Sequence, residues 1–138
     1  MNVCAISPDK VLDVWPEISG GLATVLDKHS IGRWSVAEVL ENLQAGEWQL
    51  FLVADEGKII ASLICSILPG QRQTLEVGMC WGANASEWIG DVNTAFEQIA
   101  RETGCDQVAL DGRPGWRTWA RKYGYELNSV RYVRKING

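Results

Sequence analysis

The chain has 138 residues, 17 acidic and 13 basic side chains, and a net charge of −4. A hydrophobic fraction of 46% and a charged fraction of 22% exclude a disordered chain, a collagen or a coiled coil. The length fits one domain over residues 1–138, and the acidic balance argues against a chain that grips nucleic acid by charge.

Val3–Ile6 reads as a first strand, broken by Ser7-Pro8-Asp9. Val11, Leu12, Trp15, Ile18, Leu22, Val25 and Leu26 recur at three and four, which predicts a helical region. A kink or break is expected near Trp15, because Pro16 can open a second helix and Gly20-Gly21 weakens the middle. A linker runs from His29 to Trp34. Ser35 then caps a helix with Glu38 three residues on, as in a capping box; Val36, Val39, Leu40 and Leu43 form its stripe, and Gly46 ends it.

The period then shortens to two. Residues 49–54 and 59–68 are apolar runs on either side of Asp55-Glu56-Gly57-Lys58, which predicts an antiparallel hairpin. Pro69-Gly70 begins a loop. Over 74–81, Leu75, Val77, Met79 and Trp81 fall on one face and Glu76, Gly78 and Cys80 on the other. Trp88, Val92, Ala95, Phe96 and Ile99 form the stripe of a helix over 86–103, which Gly104 stops. A short strand at 107–111, a helix from Pro114 to Tyr123 and a last strand or hairpin over 125–136 complete the order. This pattern predicts a mixed α/β fold with a mainly antiparallel central sheet and helices on both faces.

The longest apolar run, Ile59–Ile67, is far short of the roughly 20 residues of a membrane span. Met1–Ile6 lacks the basic-then-apolar pattern of a signal peptide. Cys4, Cys65, Cys80 and Cys105 form no C-x-x-C pair, and His29 is the lone histidine, so no metal site is expected. Apolar neighbours predict reduced core thiols and cytoplasmic synthesis. Seven tryptophans are many for this length; Trp34, Trp48, Trp116 and Trp119 are candidates for an exposed rim that meets a partner.

Two segments carry a family resemblance. The run Phe96-Glu97-Gln98-Ile99-Ala100-Arg101-Glu102-Thr103-Gly104-Cys105-Asp106-Gln107-Val108-Ala109-Leu110 resembles the central helix, Gly-Cys stop and fifth strand of the GNAT superfamily of acetyl-CoA-dependent N-acetyltransferases. Trp119-Ala120-Arg121-Lys122-Tyr123-Gly124-Tyr125 is similar to the family's late aromatic pair followed by K-x-G-F/Y. With the Ile59–Ile67 strand, the resemblance covers about residues 40–130. Arg113-Pro114-Gly115-Trp116 looks closer to small phage-encoded members than to cellular ones.

The resemblance implies a GNAT-like acyl-CoA N-acyltransferase fold and the chemistry of acetyl transfer. That chemistry needs backbone N–H groups for the diphosphate, a donor for the thioester oxyanion, a base for the amine and an acid for the thiolate. The family's R/Q-x-x-G-x-G/A loop corresponds here to about Ala85–Gly90, where only Gly90 fits. Trp88 stands where a small residue lets phosphates approach, Glu87 adds negative charge, and no Arg or Lys occurs between Arg72 and Arg101. The family's acid position falls on Ala120. Arg113 stands where an asparagine often begins the last helix; it is a candidate for a phosphate, or for pairing with Asp111.

Glu76 is the candidate base, and the backbone at Val77, Gly78 and Met79 would hold the cofactor's thioester arm. His29 falls where the family often meets acceptors, although a lone loop histidine is more commonly a bystander. Arg113, Arg117, Arg121, Lys122, Arg131, Arg134 and Lys135 form a basic cluster, read first as a solvated face and second as a surface for an acidic protein partner. The leading expectation is therefore a degenerate acetyltransferase-like protein that binds a protein partner in a larger assembly such as a virion. The alternative is an active enzyme that takes acetyl-CoA and an amine.

Overall fold

The computed structural model describes residues 1–29, 33–111 and 114–136. A five-stranded sheet runs in the order β1 (Asn2–Ile6), β2 (Gln49–Asp55), β3 (Lys58–Leu68), β4 (Thr74–Gly82) and β5 (Gln107–Leu110). The first three pairings are antiparallel and β4–β5 is parallel, so the sheet is mixed and mainly antiparallel. Helices α1 (Val11–His29) and α2 (Val36–Gln44) cover one face, and α3 (Ala85–Glu102) packs on the other.

Local chemistry explains most boundaries. Ser35 Oγ accepts from the Glu38 N–H at 3.1 Å and Glu38 Oε1 accepts from the Ser35 N–H at 3.2 Å, so both halves of the capping box form. Gly46 past the end of α2 has φ 77°, the left-handed geometry that glycine tolerates. Glu56 and Gly57, with φ of 51° and 78°, make a tight two-residue hairpin turn between β2 and β3. No helix among the described residues is long and apolar enough to cross a membrane.

Two cores result. On the α3 face, Trp88, Val92, Phe96 and Ala100 meet Phe51, Leu63, Leu75 and Val77. On the other face, Val11, Ile18, Leu22 and Leu26 of α1 and Val39 and Leu43 of α2 meet Leu50, Leu52 and Ile64. The i, i+3, i+4 stripes seen in the sequence are the buried faces.

Four expectations need correction. First, no break falls near Trp15: α1 is helical through Pro16, preceded by a 3₁₀ turn at Pro8–Lys10. The only helix bond Pro16 removes would end on Leu12, an exposed residue whose environment gives water access. Second, residues 125–136 form no strand. Third, Cys4 is exposed, because β1 is a sheet edge; Cys65 and Cys80 are buried and Cys105 is half-buried. Fourth, Trp34, Trp48, Trp116 and Trp119 are not exposed rim residues: all four are half-buried. Trp34 and Trp48 pack edge to face at 5.0 Å.

Burial also sets thiol chemistry. Burial first, and the neighbouring Cys80 second, push the Cys65 thiol up to about 12. At pH 8 a disulfide reagent should therefore label Cys4 at once and leave Cys65 unmodified until denaturant is added; rapid native labelling of Cys65 would contradict the fold.

Candidate acyl-transfer cleft

Among the described residues the parallel β4–β5 pairing ends with the Asp111 N–H donating to the Val77 carbonyl at 3.0 Å. Just beyond it β4 bulges. Ile64 opposes Gly78 and Ser62 opposes Trp81, so Met79 and Cys80 together face Leu63. Met79 takes up the extra residue with φ 49°.

The bulge inverts the alternation expected for this strand. Met79 and Trp81 do not share the face of Leu75 and Val77. Cys80 joins Leu75 and Val77 in the α3 core, Met79 packs in the α1–α2 core, and Trp81 lies against Gly21 of α1. Strict period-two counting fails here because one inserted residue reverses every side chain after it.

The bulge leads into α3 through Ala83 and Asn84 only. Asn84 has φ 56°, a left-handed position that asparagine adopts more readily than most residues. The stretch 85–90, assigned from the sequence to the phosphate-binding loop, lies wholly inside the helix. Gly90 does make room, but for protein: a Cβ there would stand 3.1 Å from the Tyr123 hydroxyl. Asn84 is the loop residue that sequence reading missed, and its signal was a lone Asn between Gly82 and the helical stripe.

Trp88 projects from the first turn of α3 into the core that α3 shares with β4 and β5. It is 2% exposed, and its Nε1–H donates to the Ala83 carbonyl at 2.8 Å. Trp116 of the 3₁₀ turn Pro114–Trp116 and Trp119 of α4 (Arg117–Lys122) stand 5.1 Å apart and pack against the same core. The space left among Val77, Leu110, Trp88, Trp116, Trp119 and Tyr125 is a cavity of about 10 Å³. That is room for about one water molecule.

The polar groups nearby are committed to one another. Tyr125 donates its hydroxyl to Asn93 Oδ1 at 2.7 Å. Burial, then Glu97 and Cys65, push the Tyr125 phenol up to about 12, so it holds its proton. Ala120, at the expected acid position, is half-buried in α4 and offers no proton. Glu87 is exposed, as are Arg117, Arg121 and Lys122, which agrees with a solvated basic face on α4. Arg113 lies outside the described residues, as does the His29 side chain; the His29 backbone ends α1 rather than opening a linker.

Glu76 and Gly78 face away from the tryptophans. Glu76 is half-buried. Its carboxyl is raised above the ordinary value by burial first, then by the charge of Asp111 and a hydrogen bond to the Asp111 side chain; Arg33 and Arg131 oppose the shift. The structure thus brings Glu76 and Asp111 together as a carboxyl pair on the face opposite the filled cavity.

A raised carboxyl means that the folded chain binds a proton more tightly than the unfolded one. The stability penalty is absent below the unfolded-state value near 4.5 and complete above the raised folded value. Glu76→Gln should therefore raise the melting temperature at pH 7 and leave it unchanged near pH 4. A melting temperature lowered at pH 7 would show that the Glu76 charge is stabilising.

No family model matches the chain, and no curated protein matches its sequence. Its backbone does match solved structures. A probable acetyltransferase superposes with a TM-score of 0.75 at 12% identity over 100% of this chain and 99% of that one. A ribosomal-protein-alanine N-acetyltransferase from Brucella melitensis biovar Abortus gives 0.67 at 11% identity over 99% and 100%. An aminoglycoside N-acetyltransferase in complex with CoA gives 0.69 at 16% identity over 98% and 94%. The chain has the GNAT acyltransferase fold. Trp88, Trp116 and Trp119 pack into the core beside the β4 bulge, and the resemblance placed the cofactor's thioester arm at Val77–Met79 of that strand.

Proposed function

We propose that this chain is a GNAT-fold protein that does not turn over acetyl-CoA and acts through contacts with protein, as a component of an assembly such as a virion. One observation carries the reading: the space beside the β4 bulge is filled by Trp88, Trp116 and Trp119 down to about 10 Å³. The residues present do not fit acetyl-CoA. A pantetheine arm would need several times that volume, the first turn of α3 has a tryptophan hydrogen-bonded across it, and residues 73–100 hold no Arg or Lys to meet a diphosphate.

The missing proton donor supports the same reading. With alanine at position 120 and the Tyr125 hydroxyl already donated to Asn93 Oδ1, a leaving thiolate has no positioned acid, a loss that typically costs about 10²–10⁴-fold. Incubation with acetyl-CoA and small amines should release no CoA thiol above the uncatalysed background. Release that scales with protein concentration would overturn the proposal.

A second reading rests on Glu76. Its raised carboxyl beside the Val77–Met79 bulge is the arrangement a base for an amine would need. On that reading the chain is an acetyl-CoA-dependent N-acetyltransferase in which Glu76 accepts the amine proton and Val77, Gly78 and Met79 hold the acyl arm. It requires the three rings to leave the cavity, so Glu76→Gln should abolish whatever thiol release is found.

A further inference from the structure

The space closed beside the bulge reopens at the other end of α3. A cavity of about 570 Å³ lies between the last turn of α3 and strands β1 to β3, against about 10 Å³ beside the bulge. Its volume falls within the range of small-molecule sites, about 300–1,000 Å³. Ile99 in its wall stands about 16 Å further along the helix axis than Trp88. The cavity is therefore separate from the region beside Val77–Met79.

The floor is apolar. Strand register puts Phe51, Ile67 and Leu75 on the α3 face, and Ile99 of α3 closes over them. Phe51 and Leu75 are buried, while Ile67 is 41% exposed and forms the open part of the floor.

The polar groups around this floor are acceptors. Glu47 and Glu102 line the cavity and are exposed. Glu102 accepts an amide N–H from Gln98 at 3.0 Å, which leaves its charge uncompensated. Gln49 spends its amide N–H groups on the Ile6 and Leu50 carbonyls, both at 2.9 Å, so its Oε1 is what it can offer. The Glu47 and Trp48 N–H groups both end on the Asn42 carbonyl, at 3.0 and 3.3 Å. The Thr103 hydroxyl donates to the Ile99 carbonyl at 2.7 Å. The carboxyl end of α3 adds the negative pole of its dipole. Among the described lining residues there is no Lys, Arg or His. An anion would meet two carboxylates here, whereas an ammonium would meet acceptors above an apolar floor.

We propose that this cavity binds a small organic ammonium ion with an apolar body. Its N–H groups meet the carboxylates of Glu47 and Glu102, and its body covers Ile67 and Ile99 above Phe51 and Leu75. The site is independent of whether acetyl-CoA binds beside the bulge.

Titration with 2-phenylethylammonium, followed by methyl NMR at Ile67, Leu75 and Ile99, tests it. The shifts should saturate with a Kd of about 1 mM or tighter, which is within reach of a ligand of this size. The neutral counterpart 2-phenylethanol should bind about 5- to 30-fold more weakly, the loss of two exposed ion pairs. The anion 3-phenylpropanoate should not saturate. Glu47→Gln with Glu102→Gln should weaken the ammonium by the same factor and leave circular dichroism unchanged, because both side chains are exposed. Asp13→Asn with Glu17→Gln, exposed on α1 across the sheet, should leave the affinity unchanged. Equal binding of the alcohol, an affinity unmoved by the changes at Glu47 and Glu102, or equal weakening by the α1 changes would each overturn the proposal. Absence of saturable shifts at these residues up to about 10 mM would overturn it as well.

Discussion

Replacing Trp88 with alanine should destabilise the chain by about 3–5 kcal/mol, as truncating a buried tryptophan usually does. The ring is among the largest fully buried side chains, and it packs with Ile89, Val92 and Phe96 against Leu63 and Val77. Its removal leaves a void in that core. It also leaves the Ala83 carbonyl without its indole partner, beside the left-handed Asn84. Urea unfolding with an unchanged slope and a lower midpoint is the expected signature. A loss below about 1 kcal/mol, the range of tolerated volume-conserving swaps, would mean that the ring is not packed in the cleft. The reading of a filled cleft would fall with it.

Gly82→Ala should be the second large effect, about 1–3 kcal/mol, the usual cost of overpacking. A Cβ at position 82 would stand 2.5 Å from the Ala61 Cβ and 2.9 Å from its Cα, and Ala61 is itself fully buried. The nearest neighbours include backbone of the paired strand, so relief needs β3 and β4 to separate. Gly21 offers a contrast. Its added Cβ would meet the Trp81 indole at Cγ and the fused-ring carbons, so relief there needs one half-buried ring to move rather than two paired strands to separate. Thermal melts of both variants should therefore show the larger loss at Gly82, and the reverse order would contradict the β3–β4 register.

Much of the fold was legible because its signals are local. The capping box at Ser35 and Glu38, the Glu56-Gly57 turn and the stripe of Trp88, Val92 and Phe96 each follow from neighbours within four residues. What escaped sequence reading depends on tertiary contacts. Pro16 reads as a break, yet packing of Ile18, Leu22 and Leu26 keeps α1 whole. Gly78, the kind of residue that marks a bulge inside a strand, does signal the bulge that follows it. It does not say which way the inserted residue turns, so a correct strand still carried a wrong face assignment for Met79, Trp81 and Cys80. Residues 125–136 have the composition of a strand, but a strand also needs a partner, and among the described residues none pairs with them.

The site was half legible. Glu76 could be placed on the face opposite Leu75 from alternation alone, and the absence of cations over residues 73–100 is a plain count. Its pairing with Asp111, more than thirty residues away, comes only from the parallel β4–β5 ladder that sets Glu76 against Ala109. That the half-buried Trp116 and Trp119 pack against the same core as the buried Trp88 likewise depends on contact between segments distant in sequence. Motif alignment misled most at Gly90, where matching a glycine by identity put a loop inside a helix.

Titration of the purified chain with acetyl-CoA in a calorimeter tests the central claim most directly. A cleft closed by three tryptophans predicts binding weaker than about 1 mM, with no saturable heat at lower ligand concentrations. Saturable binding at about 1–100 μM, where working KM values commonly lie, would contradict it and establish that the rings move aside for the cofactor.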